Sequence, residues 1–290
     1  MTNPKFSKIG IITKRNIHEH KDLLKKLVAY LKKKKKQIIL DENAAAVFGE
    51  KGFRKTDLLK KADMSIILGG DGTLLKTARR LPSPKTYVLS VNLGTLGFLT
   101  ECNAENLFEA LDIIFKGKYE LDKRSVLRVT VYREKQKIET YLALNDAVIN
   151  QGAFARLIKL DLKIGDKNLV TFRADGMVVA TPTGSTAHSL SAGGPIIHPK
   201  IEGLVITPIC PNSLAMRPIV IPDTRELTVT IDTERREETA IIGLTLDGQD
   251  MSILKYGDQI KFRKSKRHLY LLRTGNRYYQ MLRTKLKWGL

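Results

Sequence analysis

Apolar and polar positions follow two rhythms in the first 120 or so residues. Short, nearly continuous apolar runs at Ile9 to Ile12, Gln37 to Leu40, Met64 to Leu68 and Tyr87 to Val91 read as strands. Between them, apolar residues recur at helical spacing. Leu23, Leu24, Leu27, Val28 and Leu31 form one stripe, and Leu58 and Leu59 belong to a short helix. Leu74, Leu75 and Ala78 lie on a helix beginning near Thr73. Leu107, Phe108, Leu111 and Ile114 lie on one that Asn103 can cap. Strands alternating with helices predict a parallel sheet covered on both faces.

After about residue 122 the rhythm shortens to two. Leu127, Val129 and Val131 alternate with polar residues, as do Leu160, Leu162 and Ile164 before a turn at Gly165-Asp166-Lys167-Asn168. Leu227, Val229 and Ile231 repeat the pattern, followed by Ile260 and Phe262. Such strands, joined by Gly, Asp and Asn turns, predict an all-β domain with one wet face. Asn276 to Trp288 reads as a closing helix carrying Tyr279, Leu282 and Leu286 that returns to the first domain. The expected boundaries are 1–122, 123–274 and 275–290, with no internal repeat and no low-complexity linker.

Composition narrows the class. The chain has 290 residues, 42% hydrophobic and 28% charged, which suits a globular protein of two modest domains or one large one. No apolar stretch approaches the ~20 residues of a membrane-spanning helix. The opening residues lack the apolar core of a secretory signal. Cys102 and Cys210 stand far apart without metal-ligand spacing, and a reducing cytoplasm is expected. The formal charge of +20 raises nucleic acid as a partner. The basic residues are spread over the whole chain, however. The densest run, Lys32 to Lys36, falls where a helix should end and cations are favoured. No nucleic-acid-binding motif is visible, so a solvated basic surface is expected, and it would also favour anionic small molecules.

The candidate chemistry starts at Gly69-Gly70-Asp71-Gly72-Thr73, just after a strand. In parallel sheets, ligands sit beyond the carboxyl ends of the strands. Glycines let backbone N–H groups approach a phosphate, and a helix N-terminus favours an anion. Asp71 can then take a proton from an attacking hydroxyl or hold a metal ion against phosphate. Thr73 can cap the helix or touch phosphate. Lys76, one turn further on, can reach phosphate or stand idle in solvent. The stretch matches neither G-x-G-x-x-G nor a Walker loop. Alone, it is equally compatible with a tight strand-to-helix turn.

Two more segments favour a site. Asn92 to Leu99, NLGTLGFL, again follows a strand, and its Phe98 can stack on a ring or fill a core. Residues 173–199 run from a strand with an Asp-Gly entry into TPTGSTAHSLSAGGP. Small residues let a flat polar ligand lie on the backbone, and hydroxyls bond it without net charge. Apolar strands and prolines bound this segment, which suits a rigid site better than a linker.

Together, GGDGT at 69–73, NLGTLGF at 92–98, LNDAVIN at 144–150, the ADG…TPTGSTA…SLSAGGP segment and LDGQ at 246–249 resemble the NAD kinase family over essentially the whole chain. GGDGT alone is shared with lipid kinases. The Asn-Asp pair followed by TPTGSTA is the specific part. The resemblance implies a Rossmann-like α/β N-terminal domain and an all-β sandwich C-terminal domain, with the site between them. It implies phosphoryl transfer from ATP with Mg²⁺, or from polyphosphate, to the adenosine-ribose 2′-hydroxyl of NAD. It further implies a homodimer or homotetramer whose subunits share the site, a cytoplasmic location, and neither a specific nucleic acid nor a membrane as partner.

Carried over residue by residue, the resemblance makes Asp71 the proton acceptor, with Gly72 beside it at the ribose and phosphates. Gly69, Gly70, Thr73 and Lys76 fall to phosphate. Phe98 would lie near the adenine. Asn145 and Asp146 would hold the adenosine end, with Asp146 accepting from ribose hydroxyls. Arg156, Arg173 and Asp175 would contact NAD, Asp175 at its nicotinamide end. Thr186, Ala187, His188, Ser189, Leu190 and Ser191 would surround adenine and ribose, and Gln249 falls near a position tied to cofactor choice. A divalent metal would come with the donor, with no side-chain ligand assigned. One departure stands out. His188 occupies a position where the family usually has tyrosine, so adenine stacking there can be weaker or sensitive to pH. A lipid kinase and a non-catalytic dinucleotide sensor or nucleic-acid-binding protein are the competing readings.

Overall fold

The computed structural model describes residues 4–95, 97–151, 157–232, 242–275, 278–287 and 289. The chain forms two compact units, Met1–Lys123 with Arg267–Leu290, and Arg124–Lys266.

In the first unit a parallel sheet runs in the order Gln37–Leu40, Lys8–Thr13, Met64–Gly69, Lys85–Asn92. Residues 268–271 of the strand Gln259–Arg273 join its edge beside Lys85. Every position of Met64–Gly69 is buried, as a central strand covered on both faces requires. The helix Lys21–Lys33 places Leu24, Leu27 and Leu31 against Ile9, Ile11 and Leu68. Truncating any one of these to alanine should cost about 2–5 kcal/mol. The helix Lys55–Lys61 packs closely on the first strand: a Cβ on Gly10 would lie 2.4 Å from Leu58 Cδ2.

Several expectations shift here. The helix expected near Thr73 spans Asp71–Ala78, because extended Gly70 serves as N-cap and Asp71 is already helical. Thr73 therefore does not cap it. The helix Leu107–Phe115 starts from Asn106, while Asn103 Oδ1, three residues upstream, accepts the Asn106 N–H at 3.1 Å. A short helix, Glu42–Ala46, was not expected. It is capped by Asp41, whose side chain accepts the Ala44 N–H. The last helix, Tyr278–Leu286, buries Met281 and Leu282 and leaves Tyr279 exposed.

The second unit holds an antiparallel sheet in the order Ile219–Pro222, Gly203–Ile209, Gly176–Ala180, Asp146–Gln151, Ile242–Leu246, Asp250–Leu254. A second antiparallel set runs Lys167–Ala174, Ile158–Ile164, Leu227–Asp232 and the first part of Gln259–Arg273. Leu160, Leu162 and Val229 from this set pack with Ile149, Val179, Ile206 and Leu244 from the first. The alternating strands have one wet face, as expected: Leu227–Asp232 and Ile242–Leu246 are buried at every other position. The central strands differ. Gly176–Ala180 is buried throughout, because Val148, Val178, Ala180 and Val205 form a further cluster against Ala192 and Ile197. The small-residue segment thus covers the outer face of the sheet. The turn at Gly165 is also tighter than expected, since Lys167 already pairs with Ile164.

Candidate active site

Asp71 stands beyond the carboxyl end of the buried strand Met64–Gly69, at the first helical position. The turn is tight: a Cβ on Gly69 would lie 2.3 Å from Thr73 Oγ1. The Asp71 carboxylate accepts the backbone N–H of Phe98 at 2.9 Å and of Leu99 at 3.2 Å. The glycine-rich loop that provides them is tied down internally. Asn92 Oδ1 accepts the Gly94 N–H at 2.9 Å, and Thr100 Oγ1 accepts that of Gly97 at 2.9 Å. Arg273 donates to the Thr100 carbonyl, to Glu101 and to Asp122 at 3.3, 3.2 and 3.1 Å. Burial raises the Asp71 pKa; the two N–H bonds and the charges of Arg273 and Lys285 pull against it. The result is a carboxylate more basic than an exposed aspartate, with its orientation fixed.

Beside this turn lies a cleft of about 740 Å³ lined in part by Gly70, Gly72 and Thr73. Lys14, Arg15, Arg54, Lys55, Lys76 and Arg80 face it against a single acid, Glu42. Burial lowers the Lys55 pKa, with Asp41 opposing this and Arg80 and Lys76 adding to it. Six cations around backbone glycines suit a polyanion, and phosphate in particular.

In the second unit the Asn145-Asp146 pair is built by an acid outside the expected set. Asp247 accepts the backbone N–H groups of Leu144, Asn145 and Asp146 at 3.0, 2.8 and 3.2 Å. It sits at φ +51 with Gly248 at φ +64, in the three-residue hairpin loop between the paired Leu246 and Asp250. Burial raises its pKa to about 6, against the three N–H bonds and helped by the Asp146 charge. The TPTGSTA segment lies directly on this pair. Thr181 Oγ1 donates to the Leu144 carbonyl at 2.6 Å, and a Cβ on Gly184 would lie 2.1 Å from the Asn145 carbonyl oxygen.

Asp146 is fully buried, and His188 Nδ1 lies 3.0 Å from its Oδ1 and 3.3 Å from its Oδ2. The bond to Asp146 raises the His188 pKa against burial, and the charges of Asp146 and Asp247 add to the rise. Ser189 is buried, its hydroxyl 2.8 Å from Thr207 Oγ1. Its side chain therefore anchors the segment to the sheet and is not offered to a ligand. Thr186, Ala187 and Leu190 are half-buried and Ser191 is exposed.

The structure thus gathers Gly69, Gly70, Asp71, Gly72, Thr73, Lys76 and Phe98 in one unit, and Asn145, Asp146, Thr186 and His188 in the other. Gln249 lies in the hairpin turn next to Asp247 and Gly248. Arg173 is exposed at the end of Lys167–Ala174, and Asp175 accepts from Gln151 Nε2 at 3.2 Å. Arg156 lies outside the described residues. Asp247, Arg273 and the cleft cations Lys14, Arg15, Arg54, Lys55 and Arg80 were not anticipated. Lys14 and Arg15 follow a strand that ends at Thr13, so the carboxyl-end rule applied to Gly69 would have found them.

Residues 9–119 match the family model of the ATP-NAD kinase N-terminal domain, and residues 144–274 that of the ATP-NAD kinase C-terminal domain. An NAD kinase of Geotalea daltonii is 45% identical over 237 residues, 81% of this chain and 82% of that protein. An NAD kinase of Geobacter sulfurreducens is 39% identical over 98% of this chain and 99% of that protein. Among solved structures, a yeast NADH kinase complexed with NADH superposes with a TM-score of 0.89 at 24% identity, covering 99% of this chain and 89% of its own. An NAD kinase from Archaeoglobus fulgidus in complex with ATP gives 0.73 at 24% identity, over 95% and 97% of the two chains. At that identity the likeness to both is one of fold.

Proposed function

We propose specific residue roles for a chain that belongs to the NAD kinase family, as its two family models and its relatives at 39–45% identity establish. The protein is a phosphotransferase that phosphorylates NAD with ATP, giving NADP.

In our reading Asp71 is the proton acceptor for the ribose 2′-hydroxyl. The observation that carries it is a carboxylate oriented by two backbone N–H groups and made more basic by burial. A ribose hydroxyl is a weak acid, so a positioned base helps as the proton leaves during transfer. The rest of the work is alignment and charge neutralisation. The cationic cleft supports a site for the phosphate chain of MgATP, with Gly70, Gly72, Thr73 and Lys76 on the turn side and Lys55, Arg54 and Arg80 around it. A divalent metal bound with the donor would neutralise phosphate charge, and no side chain is assigned to hold it. Asn145, Asp146 and Thr186 hold the adenosine end of NAD with His188 beside them, Phe98 lines the adenine, and Arg173 and Asp175 meet the remainder. Asp71→Asn, assayed for NADP formation, tests the central assignment.

Six cations along the cleft suit any phosphate chain, which supports inorganic polyphosphate as a second donor, tested by replacing ATP with polyphosphate in the same assay. Exposed Ile219 and Val220 on one edge strand, with Met251 and Ile253 on the other, support a homo-oligomer. No helix among the described residues is long and apolar enough to cross a membrane. A cytoplasmic location rests on the two widely spaced cysteines.

A further inference from the structure

Asp146 is the carboxylate expected to accept ribose hydroxyls, yet it is not open to them. Its side chain is fully buried, and among the described residues His188 is the one side chain hydrogen-bonded to it. The imidazole straddles both oxygens, at 3.0 and 3.3 Å. The ring itself is 52% exposed, so it lies over the carboxylate as an outer cover. Gly248 leaves room for it: a Cβ there would come within 3.3 Å of the His188 Cε1 atom. Covered by a half-exposed ring, Asp146 meets a ligand only after His188 leaves.

We propose that His188 is a positioning residue that competes with NAD for Asp146, closing on the carboxylate in the free enzyme and swinging off it when the adenosine ribose binds. This rests on the reading that Asn145 and Asp146 hold the adenosine end. The competition depends on charge. An imidazolium gives Asp146 a charge-assisted bond, about twice as strong as a neutral one. The charged groups acting on the ring are both acidic, Asp146 from the strand Asp146–Gln151 and Asp247 from the hairpin turn. Both favour the protonated, closed ring. Low pH therefore strengthens the cover, and rising pH releases it. The tyrosine usual at this position in the family cannot carry a positive charge and would not compete in this way.

The effect falls on KM for NAD, because ring displacement is completed on binding. At saturating NAD, kcat keeps the pH profile set by the base. The test is KM for NAD in the full-length enzyme and in His188→Tyr between about pH 5.5 and 8, where an imidazole titrates. Proton NMR of the His188 ring, with and without saturating NAD, reads the pair directly. Asp247 also titrates near the lower limit, but its contribution persists in His188→Tyr, so the difference between the two profiles isolates His188. In the wild type, KM should fall by about tenfold across the window, the scale of one charge-assisted hydrogen bond given up when the ring is displaced. It should change clearly less in the variant, and NAD should lower the ring's titration midpoint. NADP formation with the same KM profile in both proteins, and a ring midpoint unmoved by NAD, would overturn the competition while leaving the kinase reading intact. Absence of NADP formation would overturn the reading on which the competition rests. Because His188 is half exposed, His188→Tyr tests the proposal without burying a new charge.

Discussion

The Oδ2 atom of Asp71 accepts the backbone N–H of Phe98 at 2.9 Å. The donor belongs to a glycine-rich loop, and the acceptor opens a helix after a different strand. A carboxylate held in this way has little freedom to rotate, and its position depends on how closely the loop can approach.

That closeness requires Gly97. A Cβ there would lie 2.3 Å from Asp71 Oδ1 and 2.6 Å from Oδ2. Gly97→Ala must displace either the carboxylate or the loop. A displacement of about 1 Å at a reacting group can cost about 10²-fold in rate. Steady-state assays should show that loss mainly in kcat, with the folded content by circular dichroism unchanged.

Burial raises the Asp71 pKa above the ordinary 3.8. Activity that needs the ionised carboxylate should therefore be lost on acidification at a pH above the usual aspartate range. Arg273 pulls that pKa down, so Arg273→Gln should move the acid limb of the pH–rate profile upward. A limb that stays in place would mean Arg273 acts only through the loop it ties.

Asp247 satisfies three backbone N–H groups at the Asn145-Asp146 turn. Asp247→Ala leaves them without that acceptor and should cost about 2–4 kcal/mol in urea unfolding, with a raised KM for NAD. The pKa of about 6 has its own signature. The folded state binds this proton more tightly than the unfolded chain. The stabilisation is complete below the ordinary 3.8 and is lost as pH rises through about 6. In Asp247→Asn this part of the stability profile should flatten.

Lys55 is one of six cations on the cleft beside Asp71. Lys55→Ala should raise KM for ATP by about tenfold, the scale of one charge-assisted phosphate contact. KM for NAD should change much less, and the salt dependence of ATP binding should weaken.

Much of this was legible in the sequence wherever one residue type carries the physics. The run Met64 to Leu68 announced a buried strand, and three glycines around Asp71 announced a close turn beyond it. The helix start at Asp71 was not legible, because it depends on the extended conformation of Gly70. The two-sided burial of Gly176–Ala180 was hidden as well, since the covering residues, Ala192 and Ile197, come later in the chain. Asp247 was overlooked for a similar reason. Its partners lie about a hundred residues away, and in sequence it is one half of an ordinary Asp-Gly turn. Ser189 resembled a ligand contact until its hydroxyl met Thr207. Hydroxyl residues signal hydrogen bonding, and only the fold decides with what.

The most direct test of the account is NADP formation from NAD and MgATP by the wild type and by Asp71→Asn at matched folded concentration. The account predicts turnover in the wild type and a kcat lower by about 10²–10⁴-fold in the variant, with KM for NAD little changed. A variant that turns over at a near-normal rate would contradict Asp71 as the base.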